Sequence, residues 1–207
     1  LDDAGNKLWG DAGCHEFDGS VESITSDGEN GAVVVWMKEV EAGNADLWIQ
    51  RVDGDHELVW GENRPLCEEN GNQRRSDIKR LEGGYIVVWE DYRLENECFI
   101  FGQFVNNDGS ERWSRFNGGY PICNGEFNPR YPKTACSEDG DIWIAWQDNR
   151  NNNETGTDMY LHKFSSEIDD AGDPIILFRE DGQQIFDGIP VCNAVQDQEL
   201  PEILSDG

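Results

Sequence analysis

The sequence predicts an all-β chain built as a β-propeller of four-stranded antiparallel blades, about three complete blades plus strands of flanking ones. Three observations carry this. Short runs rich in Val, Ile, Trp and Phe alternate with Gly, Asp and Asn turns. The runs recur with a period of 53 to 57 residues. No segment holds the 3.6-residue apolar period of an amphipathic helix. Four antiparallel strands per ~50-residue unit is the signature of a propeller blade, whereas tandem β-sandwich modules need about 100 residues and seven strands each.

Four families of segment define the unit. The first ends in Trp and is apolar throughout: 31–36, 84–89 and 141–146, closing on Trp36, Trp89 and Trp146. Such runs suit strands buried on both faces. The second mixes in polar positions, as a more peripheral strand should: Leu47–Val52, Ile100–Val105 and Met159–Phe164. The third carries a Trp after an acidic turn: Trp9, Trp60 and Trp113. The fourth ends in Cys14, Cys67, Cys123 and Cys192, spaced 53, 56 and 69 residues apart. The last interval is long because 169–186 carries an insertion.

The expected strands of the first unit are A over 21–26, B over 32–38, C over 46–52 and D over 57–66. Asp27–Gly28, Asp139–Gly140 and Asp108–Gly109 supply tight turns, since Gly accepts φ > 0 without steric cost. The expected division is a partial blade over 1–20, blades over about 21–75, 76–131 and 132–199, and the start of another over 200–207. This reads as a slice of a longer array.

The 207 residues include 43 acidic and 16 basic ones, a formal charge of −27. Nucleic acids and anionic membranes demand a basic footprint, so neither is an expected partner. No run approaches the ~18 apolar residues of a membrane span. The expected partners are a protein or a glycan, or the remainder of a larger assembly.

Cys14, Cys67, Cys123 and Cys192 occupy one repeat position and so fall on different blades. Disulfide partners need Cα atoms within about 7 Å, so these residues are expected to be small buried hydrophobes that do not bridge one another. Cys98 and Cys123 form the least unfavourable pairing. The absence of Cys-x-x-Cys, His-Glu-x-x-His and Gly-x-Ser-x-Gly patterns removes the usual zinc, redox and serine-hydrolase spacings. Acidic turns such as that holding Asp169, Asp170 and Asp173 offer oxygens that Ca²⁺ could use, although an Asp that caps its own turn explains them better. No other cofactor is expected.

Trp89–Glu90–Asp91–Tyr92–Arg93 and Trp146–Gln147–Asp148–Asn149–Arg150, followed by a strand, an Asp-x-x-Gly turn with a Trp, and Pro-x-Cys, resemble the repeats of bacterial secreted β-propellers. These are found in extracellular proteins of Bacteroidota and relatives. Trp36–Met37–Lys38–Glu39–Val40 departs from the pattern. The resemblance implies a secreted or surface location, and it implies no activity, because propellers host many. The turn at Asp108–Gly109 also faintly resembles the Asp-box of sialidase-like propellers.

The expected function is a non-catalytic extracellular interaction or scaffold module. One alternative is a propeller that binds or hydrolyses glycans, for which several arginines should converge on one face; in the sequence they look scattered, with Arg74–Arg75 the one adjacent pair. A second alternative is a structural subunit of a surface filament or envelope complex. Recognition concentrates on long irregular loops, here B–C (39–45, 91–98, 148–157) and D–A (67–76, 123–131, 192–200). The candidate contact residues are therefore Tyr92, Arg93, Phe127, Arg130 and Tyr131. Asp91 with Arg93, and Asp148 with Arg150, read as braces of their loops.

Overall fold

The computed structural model describes residues 17–94, 97–113, 118–123, 125–180, 183–184, 187–192 and 194–204. It is a β-propeller segment of three sheets. The first joins β1 (Ser20–Ser26), β2 (Ala32–Glu41), β3 (Asn44–Val52) and β4 (Arg64–Cys67) in chain order. The second repeats this with β5 (Gln73–Leu81), β6 (Gly84–Asp91), β7 (Phe99–Asn106) and β8 (Tyr120–Cys123). The third has β9 (Arg130–Cys136), β10 (Asp141–Asp148) and β11 (Asp158–Ile168). All pairings within the three sheets are antiparallel. The only helix among the described residues is a single 3₁₀ turn at Gly125–Phe127.

In the third sheet the insertion splits the fourth strand. Both β12 (Pro174–Ile176) and β15 (Ile189–Cys192) pair with β11, and a small hairpin of β13 (Arg179–Glu180) with β14 (Gln183–Gln184) lies between them. Cys14 and the third-family Trp9 lie outside the described residues.

The wholly apolar runs form second strands buried on both faces. Along β6, Tyr85, Val87 and Trp89 join the core shared with the first sheet, while Ile86 and Val88 join the core shared with the third. Alternation along a strand sends successive side chains to opposite faces, so a blade packed on both sides needs apolar residues at every position. The first strands also adjoin one another, β1 beside β5 and β5 beside β9. Side-chain bonds tie them, among them Ser23 Oγ to Ser76 Oγ at 2.8 Å and the Thr134 N–H donating to Asp77 Oδ2 at 2.9 Å. These strands form the inner edge of the segment.

The fourth strands differ from expectation. Only Arg64–Cys67 and Tyr120–Cys123 are regular; the stretch before each touches its neighbour through one bridge, Val52 to Leu58 and Val105 to Glu111. The reason lies in the fully buried Gln50 and Gln103. The Gln50 amide accepts from the Trp60 N–H and donates to the Gly61 and Glu62 carbonyls, and Gln103 makes the same clasp on Trp113. A side-chain amide thus takes the place of ladder bonds where the chain bulges to seat a Trp.

Each sheet repeats one aromatic arrangement. Trp36 faces Trp48, Trp89 faces Phe101 and Trp146 faces Tyr160 across the second and third strands, with ring centroids 6.3–6.4 Å apart. The Trp89 and Trp146 rings lie against the glycines that lead into the fourth strands: a Cβ on Gly119 would sit 2.4 Å from Trp89 Cη2, and one on Gly188 would sit 2.5 Å from Trp146 Cη2. Gly119 also has φ +96°. Gly119→Ala should therefore lose about 2–4 kcal/mol, left-handed strain plus a clash with a buried ring. Gly43→Ala, at φ +82° with nothing within 4 Å, should lose only about 1 kcal/mol. Urea unfolding midpoints of the two variants check the difference.

Candidate functional site

The B–C and D–A loops meet on one face, as the antiparallel order of the strands requires. Gly71 of the first D–A loop lies so close to Tyr92 that a Cβ would be 2.3 Å from its carbonyl oxygen. The Tyr92 N–H donates to the Asn72 carbonyl, and the Asn149 N–H to that of Phe127. The opposite face carries the A–B and C–D turns, tied by contacts such as Asn107 N–H to the Gly83 carbonyl. Its Asp residues cap their own turns. Asp27 accepts from the Glu29 and Gly31 N–H groups, Asp53 from Asp55 and Glu57, and Asp169 from Ala171 and Asp173. Among the described residues no group of three or more His, Cys, Asp or Glu is placed to hold a metal; the Asp169 turn uses its carboxylate for capping.

On the loop face the inner strands begin with an unusual backbone. Arg75, Tyr131 and Leu200 have φ of 54°, 54° and 59°, rare for residues with a Cβ. All three stand eight residues after the repeat cysteine. Each left-handed N–H is captured by a side chain of the preceding blade. Tyr131 donates to Glu90 Oε1 at 2.9 Å, Leu200 to Gln147 Oε1 at 2.8 Å and Arg75 to Glu22 Oε2 at 2.5 Å. Glu90 and Gln147 follow the repeat Trp; the first blade has Met37 there, which cannot accept, and Glu22 supplies the carboxylate instead.

Around Glu90 the clasp grows into a cluster. Glu90 is fully buried. Its second oxygen accepts from Arg75 Nη1 and from the Tyr92 hydroxyl, both at 2.9 Å. Arg74 Nε stands 3.7 Å away, an ion pair too long for a hydrogen bond, while Arg74 Nη2 donates to the Tyr92 hydroxyl at 2.8 Å. Tyr92 lies between two guanidiniums, Arg74 at 4.5 Å and Arg130 at 5.0 Å from its ring centre, and Arg75 sits 4.8 Å from the Tyr131 ring. The Arg74 and Arg75 side chains remain 39% and 41% exposed. Burial pushes the Tyr92 phenol up to about 12, so it stays a proton donor. Burial, reinforced by Glu90, likewise pushes the adjacent Cys98 thiol up to about 12, which leaves it a poor nucleophile.

Of the sequence candidates, the structure brings together Tyr92, Arg130 and Tyr131. It separates the other two. Arg93 forks onto Asp91, Nε to Oδ1 at 2.8 Å and Nη2 to Oδ2 at 2.7 Å, and lies 3.9 Å from the Phe101 ring centre. Phe127 is half-buried with Arg150 5.1 Å from its ring. Arg150 forks onto Asp148 in the same manner, and each Asp also accepts from the Nε1 of its own Trp at 3.0 Å. The Asp–Arg pairs are braces, as their spacing suggested, and Arg93 is not available to a ligand.

Arg74, Arg75 and Glu90 escaped the candidate set, and the scatter of arginines expected from the sequence is corrected here. A signal was present: a charged residue inside a doubly buried strand requires a partner, and Glu90 is the middle residue of Trp-x-Asp. Cys67, Cys98, Cys123, Cys136 and Cys192 carry thiols, so the Cys98–Cys123 pairing is not made.

No protein-family profile and no curated protein matches the sequence. Solved structures of similar fold exist. The xylan β-1,4-xylosidase of Bacillus halodurans C-125 shares 16% identity at a TM-score of 0.50, over 93% of this chain and 38% of that one. A thermostable family-43 glycoside hydrolase shares 11% identity at 0.48, over 84% and 63%. The family 117 glycoside hydrolase Zg3597 of Zobellia galactanivorans shares 10% at 0.42, over 77% and 56%. The chain spans less than two thirds of each of these proteins.

The expectation of a non-catalytic module is corrected by this finding. The xylosidase shares this fold, so the want of nucleophile or metal motifs does not exclude an enzyme; glycoside hydrolysis needs carboxylates.

Frame and cluster should separate experimentally. Asp91→Ala would strip the Arg93 guanidinium, 17% exposed, of its carboxylate, leaving it the Gly118 carbonyl, and would leave the Trp89 N–H without its acceptor. A loss of about 3–5 kcal/mol is expected. Arg74→Ala, at the surface, should change stability by less than about 1 kcal/mol. Urea unfolding of both variants reads the contrast.

Proposed function

We propose that this chain is part of a glycan-acting propeller and that a saccharide binds on the B–C/D–A face, at the cluster around Glu90. The carrying observation is the convergence of Arg74, Arg75, Arg130, Tyr92 and Tyr131 where the inner strands of two blades meet. Sugars are recognised by fixed polar groups beside flat apolar ones, and here guanidiniums and phenol rings are held by a buried carboxylate and a rigid bulge. The fold shared with the xylosidase supports a saccharide over other small ligands.

Both oxygens of Glu90 already accept hydrogen bonds, so it serves as frame. Cleavage would require a pair of carboxylates on this face. Glu22, half-buried beside Arg75, is the first candidate in this chain to supply one. An extracellular or surface location fits this reading, because long polysaccharides are met outside the cell.

Isothermal titration of the chain with a panel of neutral and charged oligosaccharides tests the proposal, alongside release of reducing ends from the same panel. At least one saccharide should bind, and the Tyr92→Ala/Arg130→Ala double variant should weaken it by about tenfold or more while keeping its β-type circular dichroism. Unchanged binding in that variant, or no binding by any saccharide, would defeat the reading.

A further inference from the structure

Resting on the glycan reading above, we infer that the saccharide is anionic: its acidic group, a uronate carboxylate or a sulfate ester, docks on Arg74, Arg75 and Arg130. The argument begins with charge. A chain of formal charge −27 holds only 16 basic residues, yet three arginines gather within one junction. At physiological salt, exposed charges beyond about 8 Å are largely screened. A ligand at the cluster therefore responds mainly to its immediate neighbours and little to the acidic remainder.

The neighbours leave the cluster positive. Glu90 and Glu22 are the carboxylates bonded into it. Asp91 is occupied by Arg93, and Asp77 lies between Lys79 at 3.5 Å and Lys133 at 3.9 Å. Three guanidiniums against two carboxylates leave an excess of one positive charge.

The arginines also retain unused donors. Arg75 spends Nη1 on Glu90, its bond to Glu22 coming from the backbone N–H; Arg74 spends Nη2 on Tyr92; and Arg130 spends Nη1 on the Pro129 carbonyl and also bonds the Cys98 side chain. Each guanidinium has five N–H donors. Arg74 Nε is buried, 3.7 Å from Glu90, but other leftover donors sit on half-exposed side chains that lie against the Tyr92 and Tyr131 rings. Planar, preorganised forks of this kind match a two-oxygen anionic group better than a neutral hydroxyl. The Tyr131 and Tyr92 rings beside them give the sugar body a flat apolar contact.

The test is titration of the full chain with three probes of similar length: oligogalacturonates for the carboxylate, carrageenan oligosaccharides for the sulfate, and neutral xylo-oligosaccharides. At least one anionic probe should bind about tenfold or more tightly than the neutral one. Arg74→Gln/Arg75→Gln should abolish that preference, and Arg74→Lys/Arg75→Lys should restore only part of it. Arg64→Ala, an exposed arginine away from the cluster, should leave it unchanged. Binding of the uronate or of the sulfate alone supports the inference and assigns the group. Equal or tighter binding of the neutral probe overturns the inference and leaves the glycan reading standing. Binding of no probe overturns both. A preference for anions that survives the glutamine variant, with β-type circular dichroism intact, also overturns the inference.

Discussion

The carboxylate of Glu90 organises the junction of the second and third blades. It sits on a strand packed on both faces, where an unpaired charge would be prohibitively destabilising, so its surroundings had to supply donors to both oxygens. One oxygen takes the backbone N–H of Tyr131, fixing the left-handed residue that starts the next inner strand. The other takes Arg75 and Tyr92. A single buried charge thereby sets the register between blades and aims the side chains that line the loop face. Removing the carboxylate would release both at once, which couples the geometry of the cluster to blade packing rather than to the loops alone.

The repeat motif divides its labour by strand alternation. In Trp-x-Asp, Trp and Asp point to one face, where the indole N–H donates to the carboxylate and the following Arg closes over the ladder aromatic. The middle residue points to the other face and reaches the next blade. The first blade shows what happens when the motif fails. Lys38 replaces the Asp, pairs with Asp18 at 3.0 Å and lies 5.3 Å from the Trp48 ring centre, so a cation still covers the aromatic. Met37 replaces the acceptor, and Glu22 takes over the clasp on Arg75. The physical requirements, a cation over a ring and an acceptor for a strained N–H, outlast the residues that usually meet them.

This explains what the sequence revealed and what it withheld. Strand type, blade period and the bracing role of Asp91 with Arg93 follow from local pattern, because alternation and turn chemistry act over a few residues. The regular length of the fourth strands did not follow: the clasp by Gln50 and Gln103 operates across ten residues and replaces ladder bonds with side-chain ones. The cluster was half legible. Loop length pointed to Tyr92, Arg130 and Tyr131, but the route from Glu90 to Tyr131 spans 41 positions and crosses between blades. Arg93 misled because a motif arginine on a long loop looks like a ligand contact, whereas its partner two residues away had already claimed it.

Comparison of equivalent positions separates frame from function within one chain. The left-handed residue is Arg75, Tyr131 and Leu200 in successive units, and its bonded acceptor persists in each. The residue before it is Val21, Arg74, Arg130 and Glu199, and the one three beyond the repeat Trp is Glu39, Tyr92 and Asn149. If arginines and tyrosines served blade packing, every junction would need them. The junction at Leu200 is clasped by neutral Gln147 with no such cluster among the described residues, and its bond is within 0.1 Å of the length of that at Tyr131. The scaffold therefore does not require the cationic, aromatic set at Glu90.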